Sequence, residues 1–290
     1  MLLVTGATGL IGSELIKALT ANGEAVRCLV RDPRRLGAER VRVQIVLGDL
    51  ADSRSLANAT RGVRSVIHMA AAHHDQDSGT IEELGSIATW RLIEAAEAAG
   101  AEHFSYFSAL GAGRGADTRL LRDKALAEDA VAAARIPTTT FALSLAHSPL
   151  DPLSSAIDAC SRLGFAPAPG EGRYQPVWVS DIVAGVLAQL ALPSGGGHER
   201  LEFAGPQALT TLMMTRLIVS SLGRRRPSLP VSPAIARTLL RATGPGPAKV
   251  PMIWDEDALL GASMLSKRGA DDLRSLGVEA RKFSDVLGLD

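Results

Sequence analysis

Two cysteines in 290 residues, Cys28 and Cys160, are too few for a disulfide framework and stand at no metal-ligand spacing. A cross-linked scaffold and a zinc site are therefore not expected, and Cys28, within an apolar strand pattern, reads as a buried thiol. Nor is there a run of eighteen apolar residues, so no membrane-inserted helix is expected. A formal net charge of zero leaves no electrostatic case for nucleic acid or an anionic membrane as partner. The basic run Arg224-Arg225-Arg226 reads as a solvated loop after Leu222-Gly223. No basic region followed by an apolar stretch precedes the first strand, which starts at residue 2, so no cleaved signal peptide is expected and a cytoplasmic location follows. Internal repeats and low-complexity tracts are missing too, apart from Ala-rich helix faces. Within these bounds, 46% apolar residues over this length suffice for one large or two unequal cored domains.

What is present begins at residue 2. Leu-Leu-Val-Thr-Gly-Ala-Thr-Gly-Leu-Ile-Gly, residues 2–12, reads as a buried strand, a glycine turn and the start of a helix. Gly6 permits the tight turn, Gly9 lets backbone approach a pyrophosphate, and Gly12 allows close helix–sheet contact. Main-chain amides over Thr8, Gly9, Leu10 and Ile11, at the positive end of the helix dipole, form an anion site without a cationic side chain. A dinucleotide is the expected ligand.

Strand and helix patterns then alternate. Strands are expected at 25–30, 43–47, 65–69, 103–107 and 138–143, and helices at 87–99, closed by Gly100, and at 119–135, stopped by Pro137. Such repetition implies a parallel sheet covered on both faces, with ligands at the carboxyl ends of its strands. The pattern changes near residue 147. Residues 147–172, punctuated by prolines and glycines, are expected to be loops and a short helix. A helix at 182–192 capped by Ser180-Asp181, a strand at 201–204, a helix at 209–222 and a flexible joint at Thr243-Gly-Pro-Gly-Pro follow. The expected fold is α/β, a Rossmann-type doubly wound parallel sheet over 1–146. A small C-terminal α/β substrate lobe, interleaved with the sheet, is expected over 147–290.

With the glycine turn, Arg31, Gly48-Asp49-Leu50 and Val66-Ile-His-Met-Ala-Ala in this order, the chain resembles the extended and atypical short-chain dehydrogenase/reductase superfamily. It looks closest to the NmrA-like and complex-I-39-kDa-subunit-like branch, whose C-terminal segment Tyr174-Gln-Pro-Val-Trp-Val-Ser-Asp-Ile-Val-Ala resembles, as do Phe203-Ala-Gly-Pro and Leu222-Gly-Arg. The resemblance implies that Asp49 accepts from the adenine amino group, that Leu50 packs on the ring, and that Met69, Ala70, Ala71, Ser108 and Lys124 line the coenzyme. Arg31, at the end of the second strand, suits the 2′-phosphate of NADP(H) rather than NAD(H). Asp32 is either a competing signal for the unphosphorylated coenzyme or a cap on the turn at Pro33.

In the main family a Tyr acid stands four residues before the Lys, and a Ser binds the substrate oxygen. Here Leu120-Leu-Arg-Asp-Lys124 keeps the Lys and puts Leu120 at the Tyr position, while Ala109 removes one hydroxyl of the serine pair that begins at Ser108. Tyr106 lies inside the fifth strand and is no substitute. Lys124 has two readings, a ribose ligand or a helix-surface partner of Glu128. His73, His74 and His147 follow strand ends and are alternative proton donors, His147 being the one carried forward with Lys124 as catalytic. Trp178 and Trp254 are either pocket wall or lobe core. The Ala-rich stretches 93–101 and 125–134 are either a dimer face or core, so a monomer and a homodimer are both open.

Two functions fit. One is an NADP(H)-dependent oxidoreductase passing hydride to a small conjugated or aromatic acceptor of quinone or enone type, whose product anion needs no tyrosine acid. The other is a non-catalytic NADP(H)-binding redox-sensing regulator or assembly factor.

Overall fold

Leu2, Leu3 and Val4 are almost wholly buried and form β1 (Leu2–Thr5), which the glycine turn joins to α1 (Leu10–Ala21). The computed structural model describes residues 1–148, 151–193, 195–232, 235 and 261–289. It divides into two compact units, Met1–Ala142 with Ile182–Leu201, and Leu143–Asp181 with the described residues from Glu202 onward. These units part differently from the division expected at residue 147: the first ends at Ala142, and residues 182–201 count with it.

The first unit continues with β2 (Val26–Val30), β3 (Gln44–Leu47), α2 (Ser53–Thr60), β4 (Ser65–His68), α3 (Ile81–Leu84), α4 (Ser86–Ala98), β5 (His103–Ala109), α5 (Arg119–Ala132) and β6 (Thr138–Leu143). The six expected strands are present, with ends within two residues of those read from sequence. β1 pairs in parallel with β2 and β4, β2 with β3, and β4 with β5. The order of strands therefore reverses beside β1: it runs β3-β2-β1-β4-β5-β6 and continues to a late strand at His198–Phe203. The gap between the β1 and β4 ends is the switch point where such sheets take ligands.

Leu3, Val66 and Phe104, on neighbouring strands, pack with Leu56, Leu92, Ala96, Ala127 and Val131 from the helices in one core cluster. Withdrawing each larger side chain from water stabilises the fold by roughly 1.5–3 kcal/mol. Ala96, Ala127 and Val131 belong to the Ala-rich stretches with two readings, and they are core of this chain. Cys28 is fully buried, and burial pushes its thiol up to about 12.

The second unit holds β7 (Ala146–His147), α6 (Pro152–Arg162), β8 (Ala166–Pro169), β9 (Arg173–Tyr174) and β10 (Val177–Trp178). After α7 (Val179–Ala191) and β11 (His198–Phe203) come β12 (Leu209–Thr210), α8 (Thr211–Ser221) and β13 (Ser228–Val231). Three two-stranded pairings, β10–β7, β12–β9 and β13–β8, organise the unit. Two expectations change here. Residues 147–172 contain strands besides the helix, and Leu209–Thr210 is strand, with Thr210 capping α8 through Met213 N. Of the basic run, Arg225 and Arg226 are exposed, while Arg224 is half-buried and binds Asp158 and Ser161 on α6. Gly205 lies against the Pro176 carbonyl and donates to Gln175 O at 3.0 Å, so two motifs noted in the sequence are packing partners. The Gly-Pro joint at 243–247 and Trp254 lie outside the described residues. Among the described residues no helix is long and apolar enough to cross a membrane.

Candidate functional site

Gly6 has φ +75°, a left-handed conformation that favours glycine. A β-carbon there would sit 2.7 Å from Ala70 N and from the Met69 carbonyl carbon, so the loop after β1 and the loop after β4 touch backbone to backbone. Gly12 presses equally closely on the Gly6 carbonyl. Gly9 is the N-cap of α1; it offers no side-chain cap, and the first turn holds no acid. The first-turn amides of Leu10 and Ile11 are thus left to an outside acceptor, as an anion cradle requires. The cradle and the Met69-Ala70-Ala71 segment, separated by sixty residues of sequence, are brought together.

Arg31 follows β2 and Asp49 follows β3, and the two side chains approach to 3.9 Å. Asp49 Oδ1 accepts from Ala51 N, which fixes the turn, and Leu50 packs at the edge of the core. Asp32 caps the following 3-10 segment by accepting from Arg34 N at 3.0 Å, and it also binds the Arg34 guanidinium. Of its two sequence readings the structure takes the cap. Arg31 instead donates from Nη1 to Gln76 Oε1 at 2.7 Å, a partner that sequence did not single out.

Beneath the cradle runs a buried polar chain that sequence reasoning missed. Ala70 N donates to Thr5 Oγ1, Thr5 Oγ1 meets His68 Nδ1 at 2.6 Å, His68 Nε2 meets Thr89 Oγ1, and Thr89 donates to Gly85 O. Because Thr89 spends its proton on Gly85, His68 must carry its proton on Nε2, and Thr5 then donates to Nδ1. Burial, with the Lys124 charge nearby, pushes the imidazole down to about 3.

Lys124 is buried rather than paired on the surface. Its Nζ donates to Phe107 O at 2.7 Å and lies 4.9 Å from the Tyr106 ring centre, while Glu128 binds Arg200. The surface-pair reading is therefore corrected. Burial lowers Lys124 to about 8, against the opposing fields of Asp123 and Glu128. One residue beyond that carbonyl, the Ser108 hydroxyl is buried and has no partner among the described residues. Leu120 is buried as well. His73, half-buried, is pushed down to about 3 by burial and the Lys124 charge, so it is neutral near pH 7. Lys124, Ser108 and His73 thus gather at the ends of β4 and β5. The apolar stripe Leu120, Leu121, Lys124, Ala127, Val131 was the sequence signal that Lys124 faces inward.

His147 belongs to the second unit. Asp151 Oδ2 holds its Nδ1 at 2.5 Å, Phe283 and Trp178 flank the ring at 4.5 and 5.7 Å between centres, and Nε2 is buried without a partner among the described residues. Trp178 also packs under Arg281, which Asp181 anchors.

The chain is similar to known proteins. Residues 6–142 match the family described as NAD(P)H-binding. A (4-alkanoyl-5-oxo-2,5-dihydrofuran-3-yl)methyl phosphate reductase from Streptomyces griseus is 31% identical over 250 residues, covering 85% of this chain and 83% of that protein. Sterol demethylase protein B from Methylococcus capsulatus is 36% identical over 113 residues, 38% of this chain; the chain spans only 34% of that protein's length. An NADPH-dependent quinone oxidoreductase from Escherichia coli, solved with NADPH, superimposes with a TM-score of 0.74 over 99% of both chains at 20% identity, which shows a common fold.

Proposed function

This chain belongs to the atypical short-chain dehydrogenase/reductase superfamily, and on that premise we propose an NADP(H)-dependent oxidoreductase that reduces a small conjugated or aromatic acceptor, of quinone or enone type, without a tyrosine acid. The observation that carries this reading is the pairing of an inward Lys124 with the unpartnered, buried hydroxyl of Ser108 at the end of β5. A buried hydroxyl without a partner costs about 1–3 kcal/mol, so its retention marks a place where a ligand supplies the missing bond.

The residues present fit the coenzyme. Gly6 and Gly9 leave the backbone bare where a diphosphate would lie, and Leu10 and Ile11 offer first-turn amides to it. Arg31, with Asp32 occupied by Arg34, favours a phosphorylated ribose. Asp49 and Leu50 would meet adenine, and Lys124 would donate to the nicotinamide ribose. When bound, the nicotinamide supplies a hydride to the acceptor carbon.

Ser108 would donate to the acceptor oxygen, on which negative charge accumulates, and so favours the reduced form. Leu120 supplies no proton, and neutral His73 cannot act as an imidazolium acid near pH 7. The acceptor oxygen takes its proton from water, which suits conjugated substrates because their product anion is delocalised. His147, carried forward from the sequence as a proton donor, is the alternative to water.

The test is calorimetric titration with NADPH and NADH, followed by NADPH absorbance in the presence of quinones and enones. NADPH binding tighter than NADH and acceptor-dependent oxidation are expected. Tight binding with no oxidation across the panel overturns the enzyme reading in favour of an NADP(H)-binding regulator. Unchanged turnover in His147→Gln removes that residue from the mechanism.

A further inference from the structure

Gln76 stands on a built turn. Gln76 and Gly79 exchange two backbone hydrogen bonds, at 2.9 and 3.0 Å. Thr80 and Glu83 close a capping box immediately after it. Asp75, one residue before, accepts from Ile81 N at 2.8 Å and pairs with Arg119 at 3.0 Å. The position of residue 76 is thereby fixed from both sides, and its side chain reaches back to Arg31.

Chemistry then fixes the orientation of the amide. Arginine only donates, so the Gln76 atom facing Arg31 must be oxygen, and the NH2 group points elsewhere with two protons to give. Among the described residues those protons have no acceptor. Asp49 Oδ2 lies 3.9 Å from the same guanidinium nitrogen. We propose that Gln76 is a specificity-determining residue of the coenzyme site, its amide N–H groups joining the guanidinium it orients to recognise the 2′-phosphate of NADP(H). This rests on the coenzyme reading above. A phosphate is an acceptor on every oxygen, so a surround of guanidinium and amide donors matches it. A free 2′-hydroxyl offers far less negative charge to such donors.

The experiment separates the ribose end from the rest of the coenzyme. Binding of 2′,5′-ADP and 5′-AMP is measured by calorimetry for the wild type, Gln76→Glu and Gln76→Ala, with thermal melts as a folding control. Glutamate keeps the bond to Arg31, neutralises the guanidinium and presents no N–H. Gln76→Glu is expected to weaken 2′,5′-ADP at least about tenfold while 5′-AMP changes less than about twofold, with Gln76→Ala in between. Unaltered 2′,5′-ADP affinity in a folded Gln76→Glu protein overturns the proposal. A wild type that holds both nucleotides equally overturns the phosphate assignment of Arg31 as well, which distinguishes the two failures.

Discussion

Ser108 sets the terms at the scale of single residues, because its hydroxyl, at the end of β5, is buried without a partner among the described residues. Ser108→Ala is expected to raise the melting temperature, since it removes an unsatisfied hydroxyl, and to leave NADPH affinity unchanged while kcat/KM for the acceptor falls about tenfold, the worth of one hydrogen bond to developing charge. An equal loss of NADPH affinity would reassign the hydroxyl to the coenzyme. Residues whose role is backbone geometry were legible: Gly6 and Gly12 are placed where a β-carbon would collide. The inward course of Lys124 was harder to see, because a lysine four residues before a glutamate on a helix suggests an exposed pair. His68 was hidden for another reason. It sits in an apolar strand, and only partners brought from residues 5 and 89 reveal its function as a linking group.

Helix α4 shows the same dependence at the scale of elements. Its N-cap, Gly85, provides no side-chain acceptor, and Asp123 from α5 supplies one by accepting from Ser86 N at 3.0 Å. Burial raises the Asp123 pKa in spite of those bonds. Asp123→Ala is expected to destabilise the fold by about 1–2 kcal/mol, read as a lower urea midpoint, with Asp123→Asn losing less. The same loss in both variants would mean that charge rather than the cap is responsible. No spacing within one helix could have announced a cap donated by another. Strand β8 escaped notice through its prolines, which ordinarily argue against a strand. Here Ala166 N and Gly170 N bond to the neighbouring segment, so the prolines at 167 and 169 fall at positions where the alternating backbone needs no donor toward it.

For the whole molecule the histidines decide the acid response. His68 and His73 are held to about 3, and His103 and His198 are also lowered, burial being the leading cause in each. Unfolded, these side chains take up protons below about 6.5; folded, His68 and His73 do so only near 3, and His103 and His198 less readily than when unfolded. Stability is therefore expected to fall as pH drops from about 6.5 to 5, each such histidine steepening the slope by up to about 1.4 kcal/mol per pH unit. Urea midpoints across that range check this, and His68→Gln should flatten the slope; an unchanged slope would show that His68 does not titrate on unfolding. The alternation of strands and helices was enough to give the parallel sheet and its ligand edge. It could not assign residues 182–201 to the first unit, since the pattern records that a helix and a strand exist but not where a chain returning from a long excursion docks.

β1, the earliest of the sheet's strands in chain order, lies inside the sheet rather than at its edge. β1 can be flanked on one side once residues 26–29 emerge, yet its other edge stays bare until residues 65–68 have been made. The nascent protein thus carries an open, greasy seam through the early part of its synthesis, and closing that seam is the same event that seats Ala70 against Gly6. One pairing thus both covers an exposed sheet edge and forms the backbone contact between the first glycine turn and the loop after β4.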